Sequence, residues 1–172
     1  MKTLTLLRHA KSSWAEAGVA DFDRALNERG RAAATRLGQE MRHLGLEFDA
    51  VFASPARRVA ETVTLVEQAY GKRLPIQIKP QIYEASVETL LGLIRTAATT
   101  VGSLLVVGHN PGLQQLALAL TKAGETTLRE GLADNLPTAA LVEIRLPIAP
   151  WTEAGDGGGT LHRFVRPRDL DL

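Results

Sequence analysis

The sequence predicts an α/β fold in which a mainly parallel central sheet has helices on both faces, giving three layers. Two patterns carry this prediction. Short apolar runs alternate with helical patterns along the chain, and the runs are apolar at successive positions, as in strands buried on both faces. The 172 residues, 45% hydrophobic and 23% charged, suit one buried core. We therefore expect a single domain over residues 1–172.

Six apolar runs account for the predicted strands. The glycine-rich stretch from Gly155 to Gly159 precedes the last run and predicts a flexible hairpin loop. In chain order, the runs are Thr3 to Leu7, Ala50 to Ala53, Ile76 to Ile78, Leu104 to Val107, Ala139 to Ile144 and Leu161 to Val165.

Four amphipathic helices are predicted between these strands, because apolar residues recur at spacings of three and four along one helix face. Residues suited to helix starts precede each stripe, and glycines follow the first two. The stripes are Ala33, Leu37, Met41 and Leu44 between Asn27 and Gly45; Val59, Val63, Val66 and Tyr70 between Ser54-Pro55 and Gly71; Val87, Leu90, Leu91 and Ile94 after Ser86; and Leu113, Leu116, Ala117 and Leu120 after Pro111-Gly112.

Composition excludes several classes of function. Twenty basic and nineteen acidic residues leave a formal net charge of +1, which gives no long-range attraction for nucleic acid or an anionic membrane. The absence of cysteine excludes disulfides, thiolate metal sites and a cysteine nucleophile. The apolar stretch from Met1 to Leu7 is too short for a signal-peptide core, and no stretch reaches the ~18 apolar residues of a membrane span. We expect a cytoplasmic protein.

Polar residues suited to phosphate follow three of the predicted strands. Arg8 and His9 follow the first strand, Ser54 to Arg58 follow the second, and His109 follows the strand from Leu104 to Val107. Ligands of open α/β sheets bind at the carboxyl ends of strands, so these groups are expected to meet there. Arginine forks match phosphate oxygens in pairs and offset their charge.

A neutral imidazole at this site could attack phosphorus directly and form a phosphoramidate, which water then hydrolyses. Neighbouring arginines would favour the neutral ring of His9, so the chemistry needs no metal and no cofactor. The residues alone leave open a metal site on His9 and His109, although nearby carboxylates are few and no H-E-x-x-H pair is present.

Three motifs in register carry a family resemblance. They are Arg8-His9-Ala10, the run from Ser54 to Thr62 and the run from Val107 to Pro111. Over most of the chain, their order and spacing resemble the histidine phosphatase superfamily, which includes phosphoglycerate mutases. The short length, with the runs Arg8 to Trp14 and Asp23 to Gly30, resembles its small SixA-type phosphohistidine phosphatases. The resemblance implies a phosphoglycerate mutase-like fold.

The resemblance also implies roles for the matching residues. His9 would be the phosphorylated nucleophile, and Arg8 and Arg58 would hold the phosphate. His109 would bind phosphate and stabilise the transition state. Of two adjacent arginines, Arg58 rather than Arg57 fits the S-P-x-x-R pattern of the family.

Two further roles are implied by matching segments. Glu84 would be the general acid that protonates the leaving group, although a solvated surface glutamate is the alternative. Ser12 would contribute to substrate binding. The family usually has glycine at the position of Ala10. Alanine can replace that glycine only if the φ angle of Ala10 is negative. Its mutases often have asparagine where Ala15 stands, so this chain departs from the mutase pattern.

We therefore expect a metal-free phosphatase that acts through a covalent phosphohistidine on His9 and removes phosphate from phosphohistidine in proteins. Its partner would be a phosphorylated protein, such as a phosphohistidine domain, or a small phosphorylated substrate, without nucleic acid or membrane. The alternatives are a phosphatase of small phosphorylated metabolites and a phosphoprotein-binding module without turnover.

Overall fold

The computed structural model describes residues 1–14 and 16–170, so Ala15, where the sequence departs from the mutase pattern, lies outside the described residues. Within this range, the chain forms seven strands and five α-helices. The strands are β1 (Lys2–Arg8), β2 (Ala50–Ala53), β3 (Ile76–Ile78), β4 (Ser103–Gly108), β5 (Thr121–Gly124), β6 (Leu141–Leu146) and β7 (Gly159–Val165). The helices are α1 (Glu28–His43), α2 (Arg57–Tyr70), α3 (Val87–Ile94), α4 (Gly112–Leu120) and α5 (Thr126–Asp134).

The seven strands form one mixed sheet in the order β3-β2-β4-β1-β6-β7-β5. The first four strands of this order are mutually parallel, β6 is antiparallel to both β1 and β7, and β5 is parallel to β7. The prediction of a mainly parallel sheet is therefore only partly right. The backbone N–H of Ala139 donates to the carbonyl oxygens of Arg8 and His9, at the carboxyl end of β1. Because β6 starts beside that end, it must run back along β1 in the opposite direction.

Helices cover both faces of the sheet, which confirms the predicted three layers. Side chains alternate between the faces of a strand. In β4, Leu104 and Val106 pack with buried residues of α3, α4 and α5, whereas Leu105 and Val107 pack with those of α1 and α2. No helix of the described residues is both long and apolar enough to cross a bilayer.

Every predicted strand and helix is present, with local differences at the ends of some elements and with two additions. The second helix begins at Arg57, two residues after Pro55, and no side chain caps it. The strand predicted from Ala139 begins at Leu141 instead, because Ala139 turns with φ 58°. The additions, β5 and α5, were not predicted because their sequences lack a periodic apolar pattern. Leu132 is the one buried residue of α5.

Candidate active site

The chain segment after β1 carries His9 into a cleft at the carboxyl ends of the parallel strands. The backbone N–H of His9 donates to Gly108 O at the end of β4 (3.1 Å). The next amide, that of Ala10, donates to Thr62 Oγ1 (2.9 Å), and this hydroxyl donates to Arg58 O (2.7 Å). Ala10 is buried and its φ is not positive, as alanine in place of glycine requires. These bonds fix β1, β4 and α2 relative to one another.

The ring of His9 is held as a neutral imidazole with its lone pair on Nε2. Arginine can only donate, so the contact from Arg58 Nε (3.3 Å) makes His9 Nε2 the acceptor. The ring proton then lies on Nδ1, which donates to Ala10 O (2.7 Å). Burial lowers the pKa of His9 to about 3, although the bond to Ala10 O acts in the opposite direction; the proximity of His109, Arg58 and Arg8 lowers this pKa further.

Arg58, at the start of α2, joins the groups of the cleft. It is 6% exposed, and its Nη1 donates to Asp21 O (2.7 Å). Its Nη2 contacts both Asp21 Oδ2 (3.2 Å) and His109 Nδ1 (3.3 Å). With the contact from Nε to His9, all three guanidinium nitrogens are engaged, which fixes the plane of the group.

The second histidine, His109, follows β4 and faces His9 with ring centroids 5.3 Å apart. Its Nδ1 accepts from Arg58, so its proton lies on Nε2, which donates to Ser54 Oγ (2.8 Å). Burial, followed by the charge of Arg58, lowers the pKa of His109 to about 4. Ser54, predicted as a helix cap, instead orients this ring and accepts from the amide of Ala56 (3.2 Å).

Arg8 brings a buried donor to the same cleft. Its Nη1 donates to Leu136 O (3.0 Å), which ties β1 to the loop before β6. Among buried side-chain polar atoms of the described residues, Arg8 Nε is the one without a hydrogen-bond partner. Burial and the charge of Arg58 lower the pKa of Arg8. A buried donor of this kind requires an acceptor, which a bound oxyanion would supply.

Asp21 and Tyr83 also belong to this site, although the sequence did not predict them. Tyr83 Oη donates to Asp21 Oδ2 (2.6 Å), and Asp21 Oδ1 accepts from Arg24 Nε (3.1 Å). The bond from Tyr83 lowers the pKa of Asp21 to about 2, and the same bond raises the pKa of Tyr83 to about 12. Tyr83 adjoins the predicted Glu84, whereas Asp21 lies just outside the recognised segment from Asp23 to Gly30.

Ser12 and Glu84 also line the cleft, but they differ in their exposure to solvent. Ser12 is buried and its Oγ accepts from Arg24 Nη1 (2.9 Å). Glu84 is exposed at the edge, with a φ of 56° that is rare for a residue other than glycine.

All six predicted site residues line one cleft of about 500 Å³. Its remaining lining residues are Lys11, Trp14, Asp21, Arg24, Tyr83, Asn110 and Thr138. No group of three or more His, Asp or Glu side chains among residues 1–14 and 16–170 is arranged to hold a metal ion. The cleft therefore presents an unprotonated ring nitrogen to an array of cationic and neutral donors, which suits a phosphoryl group.

Comparison with protein families gives a match between residues 4–101 and the model of the histidine phosphatase superfamily (branch 1). A protein of uncharacterised function from Mycobacterium tuberculosis is 31% identical over 164 residues, covering 94% of this chain and 100% of that protein.

Two solved structures share the fold over nearly the whole chain. A candidate phosphohistidine phosphatase SixA from Agrobacterium tumefaciens has a TM-score of 0.80 and 32% identity, covering 96% of this chain and 98% of that one. The protein histidine phosphatase SixA complexed with tungstate has a TM-score of 0.78 and 21% identity, covering 98% and 99%.

Proposed function

The chain belongs to the histidine phosphatase superfamily (branch 1), and we propose that it is a metal-free phosphatase that works through a covalent phosphohistidine on His9. Arg8, Arg58 and His109 hold the phosphoryl group, and Glu84 transfers the proton. The observation that carries the proposal is the ring of His9, whose unprotonated Nε2 lies 3.3 Å from Arg58 Nε.

In the first step, His9 Nε2 forms a bond to phosphorus while the bond from phosphorus to the leaving atom breaks. Nδ1 keeps its proton and its bond to Ala10 O, so the ring stays oriented as the Nε2 lone pair is used. The leaving imidazole or alkoxide takes a proton from the carboxyl group of Glu84. Arg58 Nε donates to His9 Nε2 directly, so an incoming phosphoryl oxygen accepts this hydrogen bond in place of the ring nitrogen.

In the second step, water attacks phosphorus, the bond between phosphorus and His9 Nε2 breaks, and the electron pair returns to the ring. The Glu84 carboxylate takes the proton of the attacking water, which restores the starting enzyme and releases inorganic phosphate. Charge on the transferring oxygens is stabilised by Arg8 and Arg58, and by His109, whose orientation depends on Ser54.

The substrate we propose is phosphohistidine in a protein. The edge of the cleft is open and partly apolar, since Trp14 is 83% exposed and Phe22, which contacts Tyr83 edge to face, is 38% exposed. Exposed aromatic side chains of this kind suit contact with a protein surface. The similarity to the Agrobacterium SixA protein supports the same substrate class.

A second candidate is a phosphatase of small phosphorylated metabolites. A cleft of about 500 Å³ lies in the range that holds small ligands, and this observation favours it.

The two candidates are separated by kcat/KM on a phosphohistidine peptide and on a panel of sugar and nucleotide phosphates. We expect the peptide to be preferred by about tenfold or more, since its imidazole leaves easily and its backbone reaches the open edge. Preference for a metabolite would favour the second candidate instead. Tight binding of inorganic phosphate without turnover of any substrate would favour a binding module.

A further inference from the structure

A second cavity, which we call the basic groove, lies beside the cleft and has no role in the proposed chemistry. It has a volume of about 430 Å³ and no acidic lining residue. Its lining residues are Lys11, Arg29, Ala32, Ala33, Arg36, Pro137, Thr138, Arg166, Pro167 and Arg168.

The cations of the basic groove come from three separate parts of the chain. Arg29 and Arg36 lie on one face of α1, seven residues apart, which corresponds to roughly 10 Å along a helix. Lys11 follows β1, and Arg168 lies in the C-terminal 3-10 turn. Arg166 is partly neutralised, because it pairs with Asp169 at 3.0 Å. With a net charge of only +1 on the chain, this is a local concentration of positive charge.

The basic groove adjoins the cleft. Lys11 and Thr138 line both cavities, and the amide of Asn27 donates to Lys11 O (3.0 Å), which fixes this shared wall to the start of α1. A chain lying in the groove would therefore pass beside the cleft that holds His9.

We propose that the basic groove binds an acidic segment of the phosphorylated protein substrate and so presents its phosphohistidine to His9; this inference rests on the proposed function. Arg29 and Arg36 lie roughly 10 Å apart along α1, a separation that matches carboxylates spaced along a polypeptide better than a single phosphate. The small apolar surfaces of Ala32, Ala33 and Pro137 would contact the aliphatic parts of that segment.

The test uses two phosphohistidine peptides that differ in a flanking tail of six glutamates or six glutamines. The groove variant is the double charge reversal Arg29→Glu and Arg168→Glu, and the control is Arg73→Glu and Arg129→Glu, at exposed positions outside both cavities. For the glutamate-tailed peptide, we expect KM to rise about tenfold in the groove variant and to stay unchanged in the control. The glutamine-tailed peptide and p-nitrophenyl phosphate should be hydrolysed equally by all three proteins.

Binding is measured separately, so that failure of the groove and failure of the proposed function are distinguishable. The probe is a fluorescent, unphosphorylated hexaglutamate peptide, followed by anisotropy, and its affinity should fall about tenfold in the groove variant alone. Equal affinity in the groove variant and the wild type would overturn the proposal, even if phosphohistidine is hydrolysed. The proposal would also be overturned if the KM of the groove variant rose for fructose 1,6-bisphosphate but not for the glutamate-tailed peptide. The groove would then bind the second phosphate of a small substrate.

Discussion

Arg58 is the residue on which the geometry of the site depends. Its three guanidinium nitrogens reach His9, His109 and Asp21, which lie in three different segments of the chain. A lysine offers one flexible ammonium group in place of this planar guanidinium group, so it could not hold these three residues in fixed positions at once. The two histidines stay neutral because burial chiefly disfavours their protonated forms, and the charge of Arg58 acts in the same direction on both.

The lowered pKa values of the two histidines predict how stability depends on pH. An unfolded histidine has a pKa of about 6.5, so below that pH the unfolded chain binds protons at histidines that stay unprotonated in the folded chain. The free energy of unfolding should therefore fall as pH drops from about 6.5 through the folded pKa of His109, about 4, and that of His9, about 3.

Urea unfolding at pH 7.5 and pH 4.5 checks this expectation. His109→Gln should show a smaller loss of stability between the two values than the wild type, because one titrating group is gone. The control His43→Gln changes an exposed ring at the end of α1 and should keep the wild-type loss. An identical loss in all three proteins would contradict the prediction.

Asp21 is predicted to act as a positioning residue for Arg58. Asp21→Asn removes the charge that holds Nη2, so we expect kcat to fall about tenfold as Arg58 loses its fixed place beside His9. The same change should lower the pKa of Tyr83 from about 12, since its phenol would no longer donate to a carboxylate.

Ultraviolet titration can follow Tyr83 alone in a Tyr70→Phe background, because the chain has two tyrosines. Asp23→Asn, in the same 3-10 turn, serves as the matched control. If Asp21→Asn lowered kcat but left the Tyr83 titration unchanged, the contact between the two side chains would not be the cause.

At the scale of elements, the close contact of α1 with the segment after β1 sets the position of the site. A Cβ added at Gly30 would lie 2.0 Å from Lys11 O, a backbone atom that cannot rotate away. Gly30→Ala should therefore displace the segment that carries His9, lowering stability by about 1–3 kcal/mol and lowering kcat.

Thermal unfolding and steady-state kinetics test this pair of effects. Gly92→Ala in α3 is the matched control, because a Cβ there meets nothing within 4 Å and alanine favours a helix. It should raise stability slightly and leave kcat unchanged. Wild-type stability and kcat in Gly30→Ala would show that the contact does not constrain the site.

The elements that the sequence analysis found and missed differ in how they bury apolar surface. α1 and α2 each present a stripe of side chains to the sheet, so their spacing alone predicts them. α5 buries Leu132 and little else, and β5 is a short edge strand with exposed residues, so neither leaves a periodic signal. The reversal of β6 depends on bonds from Ala139 to β1, which no local pattern encodes.

For the whole molecule, the strand-end rule predicted where the site would form but not what supports it. Arg8 is the last residue of β1, His9 follows it and His109 follows the adjacent strand β4, and the three do meet in one cleft, although their chemical roles stay predictions. Asp21 and Tyr83 are 62 residues apart and meet only through the tertiary fold. The basic groove could not be predicted from the sequence either, because its cations come from separate segments of a nearly neutral chain.

The most direct test of the central claim is to trap the covalent intermediate. The enzyme is mixed briefly with a radiolabelled phosphohistidine peptide, quenched in alkali to preserve the bond between phosphorus and nitrogen, digested and analysed by mass spectrometry. We predict one labelled peptide with phosphate on Nε2 of His9, and no label in His9→Ala, which should also lose turnover. Undiminished turnover in His9→Ala, or label on His109 with His9 unmodified, would contradict the account.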